Sequence, residues 1–165
     1  WNSDSTRMPA AMHSFYLRNM YLHNKLREPG GITLGGVPID VTKVKVPAYF
    51  ISTVEDHIAP WRSTYLGARV LGGPVRFVLG GSGHIAGVIN PPAKKKRNYW
   101  TNNTLPAAAD DWFDTATEVP GSWWGSWAGW LEPLSGALVA APKAPGSRKY
   151  PPIEAAPGRY VKQKA

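Results

Sequence analysis

The stretch from Val46 to Pro92, VPAYFISTVEDHIAPWRSTYLGARVLGGPVRFVLGGSGHIAGVINPP, limits the fold more than any other part of the chain. It holds two apolar runs, each ending in a titratable side chain beside turn-forming residues. The first, VPAYFIS, delivers Asp56; the second, PVRFVLG, delivers His84 after Gly80, Gly81 and Gly83. Tyr49, Phe50 and Ile51 lack polar alternation, the pattern of a strand buried on both faces of a parallel sheet. Between the runs, Trp61, Tyr65, Ala68 and Leu71 recur at three- and four-residue spacing, which marks a helix face. Strand, helix, strand reads as a β-α-β unit, and the chain as α/β.

Asp56 and His84 lie 28 positions apart, room for one helix and one strand. Loops at the carboxyl ends of strands in an open α/β sheet face one crevice, so the two residues can converge. Asp56 then either orients the imidazole of His84 or takes a proton from a substrate hydroxyl. His84 would deprotonate a nucleophile and later return the proton. These are the acid and base of a triad in the chain order nucleophile, acid, histidine. The nucleophile itself is missing. An elbow needs Gly-x-Ser/Cys-x-Gly, but two residues after Ser82 stands His84 instead of glycine, and the chain has no cysteine. Ser82 reads as a turn residue, and a structural role for Asp56 and His84 stands beside the catalytic one. His57 is open to the same two readings.

Around this unit the sequence predicts a helix from Pro9 through AAMHSFYLRNMYLHNKLRE, stopped by Pro29, Gly30 and Gly31, with His13 and His23 as surface or partly buried polar residues. Ile32 to Val41 read as a hairpin around Gly35 and Gly36. After Pro92 a surface loop leads to Pro106, which can start a helix through AAADDWFDTATE, ended by Pro120 and Gly121. Trp123, Trp124, Trp127 and Trp130 then fall within eight positions. They form either a stacking platform for a sugar or base, or aromatics packing a domain edge or partner domain, the commoner case. Residues 134–165 are rich in Pro, Ala and Lys and read as an extended arm that orders on docking.

At 165 residues the chain is long enough for one core, one domain or part of one. The opening WNSDSTRMP, without an initiator Met, reads as the start of a piece of a longer protein. No signal-peptide pattern and no apolar run near the roughly 18 residues of a membrane span is present, so a cytoplasmic protein is expected. The net charge is +8, and the residues from Lys143 onward hold six basic groups against Glu154 alone. Much of the excess therefore sits in the tail. The other basic cluster, Lys94, Lys95, Lys96 and Arg97, reads as a solvated loop ahead of a nucleic-acid patch, or as a contact for a phosphate-bearing ligand near His84.

The strings WNSDSTRMP, FYLRNMYLHNKL, STVEDHIAPW, GSGHIAGVINPPAKKKRNYW, PGSWWGSWAGWL and EAAPGRYVKQKA together resemble the C-terminal portion of a class I poly(3-hydroxyalkanoate) synthase. The resemblance runs from Trp1 to the last residue. It implies the C-terminal part of an α/β-hydrolase-like fold, a mostly parallel sheet with flanking helices, that joins 3-hydroxyacyl groups from coenzyme A thioesters into a polyester. It also implies a cysteine nucleophile in a Gly-x-Cys-x-Gly elbow upstream of this segment. By the resemblance, Asp56 in EDHIAPW would be the catalytic aspartate, assigned to activating the 3-hydroxyl of the incoming or growing chain, and His84 in GSGHIAG the catalytic histidine that activates the cysteine, with His57 at a neighbouring site position. Lys95 and Lys96 are candidates to meet the coenzyme A phosphates.

On this reading residues 1–30 end a cap region and its connecting helix, 31–133 belong to the catalytic domain, and 134–165 form the arm. No cofactor beyond the coenzyme A of the substrate, and no metal, is expected. The resemblance further implies a homodimer, cytoplasmic, at polymer granules, with the upstream part of the same enzyme, the thioester and the growing polyester as partners. The segment alone should be inactive and should expose an unpaired sheet edge. Two other readings stand beside it: a non-catalytic module binding a granule surface or partner, and a fragment of an α/β-hydrolase esterase or thioesterase.

Overall fold

The computed structural model describes residues 7–163. The expected cap residues Trp1 to Asp4 and the last two residues lie outside them. The central unit forms as the sequence predicts, except that its helix ends before Leu71, which was expected on the same face. Strand β3 (Ala48–Thr53) leads through helix α2 (Trp61–Ala68) to strand β4 (Val75–Gly80), and β3 and β4 pair in parallel from Ala48↔Val75 to Thr53↔Gly80. Ahead of it, β1 (Ile32–Leu34) and β2 (Val37–Ile39) make the expected hairpin, turning at Gly35 and Gly36, both with positive φ. Glycine takes up such angles at less cost than residues that carry a Cβ.

Two further strands were not legible in the sequence. β5 (Asn98–Thr101) and β6 (Thr117–Pro120) extend the sheet in the order β3-β4-β5-β6, both pairings antiparallel. The sheet in the described residues is therefore mixed where a mostly parallel one was expected. β6 replaces the second half of the helix predicted from Pro106, and only Ala109–Asp114 (α3) is helical. Upstream, the carbonyls of Pro106 and Ala107 are taken by the Tyr65 hydroxyl (2.8 Å) and Arg69 (3.1 Å) of the α2 region, which holds these residues out of the helix. Downstream, β-branched Thr115, Thr117 and Val119 favour extended chain. Pro120 is tolerated because β6 is an edge strand.

The sheet is covered on both faces. Against one face, Trp61, Tyr65 and Ala68 of α2 and Ala109 and Trp112 of α3 pack on Phe77 and Leu79 of β4, all buried. Phe77 is central, with Tyr65 and Trp112 edge-on at 5.0 Å each. Truncating such a ring costs about 3–5 kcal/mol. Against the other face lies helix α4 (Trp124–Leu131): Trp123 stacks on Tyr49 at 6.1 Å, Trp130 lies 5.4 Å from the same ring, and the Tyr49 hydroxyl bonds Ser126 at 3.2 Å. The tryptophan cluster thus docks α4 on β3, in keeping with its packing reading.

The N-terminal helix is shorter than predicted. α1 spans Ala10–Tyr16, continues as π-helical turns over Leu17–Leu22, and breaks at Asn24, whose φ of 48° is left-handed, before a 3-10 turn at Lys25–Arg27. Its apolar residues are not covered: Tyr21 and Leu22 are each 71% exposed. Residues 135–163 are almost all exposed, and their one helical element is a turn at Tyr160–Lys162.

Candidate active site

Past the last paired residues, β3 and β4 stay tied together. Val54 donates to the carbonyl of Gly80 at 2.9 Å, and Glu55 to that of Ser82 at 3.1 Å. This coupling brings two loops side by side at the carboxyl ends of the parallel strands. In the first loop the backbone turns at Asp56, whose N–H bonds the carbonyl of Thr53, and Asp56 Oδ1 accepts from the N–H groups of Ile58 and Ala59, both at 2.9 Å. A carboxylate that bonds the backbone two and three residues on fixes its own loop, which is why aspartate suits the entry to α2.

In the second loop Ser82 takes a φ of 76° and His84 opens a turn closed by Gly87 N–H to Gly83 (2.9 Å) and Ile89 N–H to Ile85 (2.8 Å). The turn presses on β3 so closely that a Cβ on Gly87 would sit 2.5 Å from Thr53 Cγ2 and 2.6 Å from the Gly81 carbonyl. Only glycine fits there.

The two loops meet in one bond, His84 Nδ1 to Asp56 Oδ2 at 2.8 Å. The Asp56 side chain is 8% exposed and that of His84 44%. The Asp56 carboxyl is held down at about 2, first by the Ala59 N–H, against some loss of hydration, with help from His84 and the Ile58 N–H. It is therefore an anion at neutral pH, well suited to accept from Nδ1 and poorly suited to take up a proton. With Nδ1 engaged, Nε2 is the ring nitrogen left to exchange a proton, and that tautomer is set by the Asp56 bond.

The other sequence candidates are not drawn into this bond. His57 is exposed on the same turn as Asp56 and makes no hydrogen bond among the described residues. Lys95 and Lys96 are exposed around a tight turn, Lys95 with a φ of 47°, and form no ion pair among the described residues. No hydrogen bond or ion pair links them to Asp56 or His84. Ser82 serves the turn, its carbonyl accepting from Glu55. A groove of about 780 Å³ begins beside the Asp56 loop at Ile58 and Ala59 and runs along α2 past Ser63 and Gly67, with Arg27 and Arg69 at its edge; His84 does not line it. Among the described residues no three His, Asp or Glu side chains are grouped to hold a metal ion, and no helix is long and apolar enough to cross a membrane.

Sequence reasoning missed the supports of the histidine turn. Asn90, 4% exposed, donates to the carbonyls of Lys96 (3.1 Å) and Gly121 (3.4 Å), and Trp123 and Trp124 both reach the Val88 carbonyl. These contacts span from 6 to 36 positions, and no local periodicity reports them.

No protein-family model matches the chain. Among curated proteins, the poly(3-hydroxyalkanoate) polymerase subunit PhaC of Cupriavidus necator is 50% identical over 165 residues, all of this chain and 28% of that protein. The corresponding subunit of Rhizobium meliloti is 52% identical over the whole chain and 26% of its own length. The chain belongs to the poly(3-hydroxyalkanoate) polymerase family. A poly(3-hydroxyalkanoate) polymerase of Ectopseudomonas oleovorans is more distant, at 42% identity over 98% of the chain and 29% of the protein. The chain thus spans a little over a quarter of the length of these polymerases, matching their C-terminal portion.

Proposed function

We propose that this chain supplies the acid and histidine of a polyhydroxyalkanoate synthase, an acyltransferase that polymerises 3-hydroxyacyl groups from coenzyme A thioesters, with 3-hydroxybutyryl-CoA as the substrate of choice. The observation that carries the reading is the His84–Asp56 bond of 2.8 Å at the carboxyl ends of two parallel strands. Family membership supports the reaction class. The nucleophile, a cysteine thiol, comes from a part of the enzyme outside this chain, which has no cysteine.

His84 Nε2 takes the thiol proton, and Asp56 stabilises the resulting imidazolium and holds the ring in register. The thiolate attacks the thioester carbonyl. Its carbon–sulfur bond forms as that to coenzyme A breaks, and the proton on His84 passes to the leaving thiolate. The 3-hydroxyl of a second acyl unit then gives its proton to Nε2 as its oxygen attacks the enzyme thioester, forming the ester and freeing the cysteine. Polymerisation in place of hydrolysis requires that water be kept from Nε2. His84 is 44% exposed in this chain, so the remainder of the enzyme must close over it.

In the same proposal that remainder covers the apolar residues of α1 and pairs the outer edge of β3, which is terminal in the sheet among the described residues. Lys95 and Lys96 meet the coenzyme A phosphates, and His57 lies at the substrate side of the Asp56 turn. The enzyme works as a homodimer at cytoplasmic polymer granules and uses no cofactor besides its coenzyme A substrate. The test is coenzyme A release from 3-hydroxybutyryl-CoA by a complete polymerase carrying this chain. His84→Ala should abolish it, and the 165 residues alone should release none. Undiminished release by His84→Ala would overturn the proposal.

A further inference from the structure

The sequence singles out GSWWGSWAGWL, and packing of α4 accounts for Trp130 and for the ring of Trp123, but not for where the indole N–H groups point. Both Trp123 Nε1 (3.1 Å) and Trp124 Nε1 (3.0 Å) donate to the carbonyl of Val88, four residues after His84. The same oxygen also accepts from the backbone N–H of Asn90 at 3.0 Å. A carbonyl oxygen has two lone pairs, so three donors crowd it and share it. Val88 lies near the end of the short turn that begins at His84, where carbonyls have no partner within the turn itself.

The far ends of these indoles are fixed. Trp123 stacks on Tyr49 of β3, and Trp124 and Trp127 lie edge-on to Trp123 at 6.5 and 6.4 Å. Strand β3 also leads to Asp56. One strand therefore references both partners of the His84–Asp56 bond: Asp56 through its own loop, and His84 through Tyr49, the indoles and Val88. Thr53 of β3 braces the other side of the turn at Gly87. Trp124 is 38% exposed in this chain.

We propose that Trp123 and Trp124 are positioning residues for His84, acting through the Val88 carbonyl to hold the imidazole on Asp56. As to activity this rests on the proposed function above; as to geometry it does not. The experiment uses a complete polymerase carrying this chain, with Trp123→Phe, Trp124→Phe and the double variant. Phenylalanine keeps an aromatic ring and removes the N–H. Because the donors share one oxygen, each single variant should lose about two- to fivefold in kcat and the double variant tenfold or more, with KM for 3-hydroxybutyryl-CoA within twofold.

The second readout is the downfield Nδ1–H proton resonance of His84, followed by NMR with ¹⁵N-histidine and assigned by its loss in His84→Ala. It should be sharp in the parent and broadened or absent in the double variant well below its melting temperature. Loss of packing alone would lower the melting temperature and leave that resonance in place. Wild-type kcat, or a lower kcat with the resonance intact, overturns the proposal. Should the double variant fail to fold, Trp124→Phe, which alters the more exposed ring, decides by the same two readings. If His84→Ala keeps full activity, the proposed function falls while the resonance still decides whether the indoles hold the ring.

Discussion

Replacing Asp56 by asparagine separates the two roles that an acid at this position can play. Oδ1 of Asp56 is committed to the N–H groups of Ile58 and Ala59, both at 2.9 Å. An asparagine carbonyl can keep those bonds, so the loop and the entry to α2 survive. Its NH2 group must then occupy the place of Oδ2, 2.8 Å from His84 Nδ1. A donor there forces Nδ1 to accept, moves the ring proton to Nε2, and leaves the imidazole unable to take a proton from the nucleophile. In a serine-protease triad the same exchange lowers kcat about 10⁴-fold through the wrong tautomer. Here kcat should fall by roughly three to four orders of magnitude, with KM little changed. The assay is rapid-mixing measurement of coenzyme A release from 3-hydroxybutyryl-CoA by the complete enzyme. If Asp56 orients His84, the first turnover, acylation of the nucleophile, is itself slowed. If Asp56 instead deprotonated the attacking hydroxyl, Asp56→Asn would show a full burst of coenzyme A at the parent rate and then stop. That burst would refute the orienting role.

Two further outcomes follow from the same geometry. Because the Asp56 carboxyl is held at about 2 against an ordinary 3.8, its ionised form stabilises the fold. That contribution is fully present above about pH 4 and is lost as pH falls towards 2, so the melting-temperature gap between the parent and Asp56→Asn should close over that window in scans from pH 6 downward. For the exposed lysines, Lys95→Gln with Lys96→Gln should raise KM for the coenzyme A thioester by roughly two- to tenfold and leave kcat in place, the scale of two solvent-screened contacts. Unchanged KM in steady-state kinetics removes them from the phosphate site.

The β3-α2-β4 unit was legible because each of its elements states itself locally. The apolar runs are long enough for strands, the helix face repeats at Trp61, Tyr65 and Ala68, and glycines mark the exit before His84. The four-residue strands β5 and β6 state nothing of the kind. NYWT follows a basic run, and TEVP continues a stretch that reads as helix until one sees Tyr65 and Arg69 reaching across from the α2 region to hold Pro106 and Ala107. In α1 the helix was legible and its surroundings were not: its apolar residues are exposed among the described residues, because periodicity reports that a helix can be covered and not what covers it.

The site divides along the same line. Asp56 announces itself, since a carboxylate at a strand end beside helix-entry residues satisfies nearby backbone by its own chemistry. His84 does not: nothing adjacent to it bonds its ring, and its direction depends on Asp56 at 28 positions, on Gly87 lying against Thr53, and on indoles 35 and 36 positions from the carbonyl they hold. A side chain that must exchange a proton with a reacting atom has to leave one nitrogen free of local partners, so its orientation is necessarily assembled from distant parts of the chain. The proposed histidine and its acid partner are therefore readable in sequence, while Gly87 and the two indoles, which brace the turn that carries the histidine, appear only when the chain is folded.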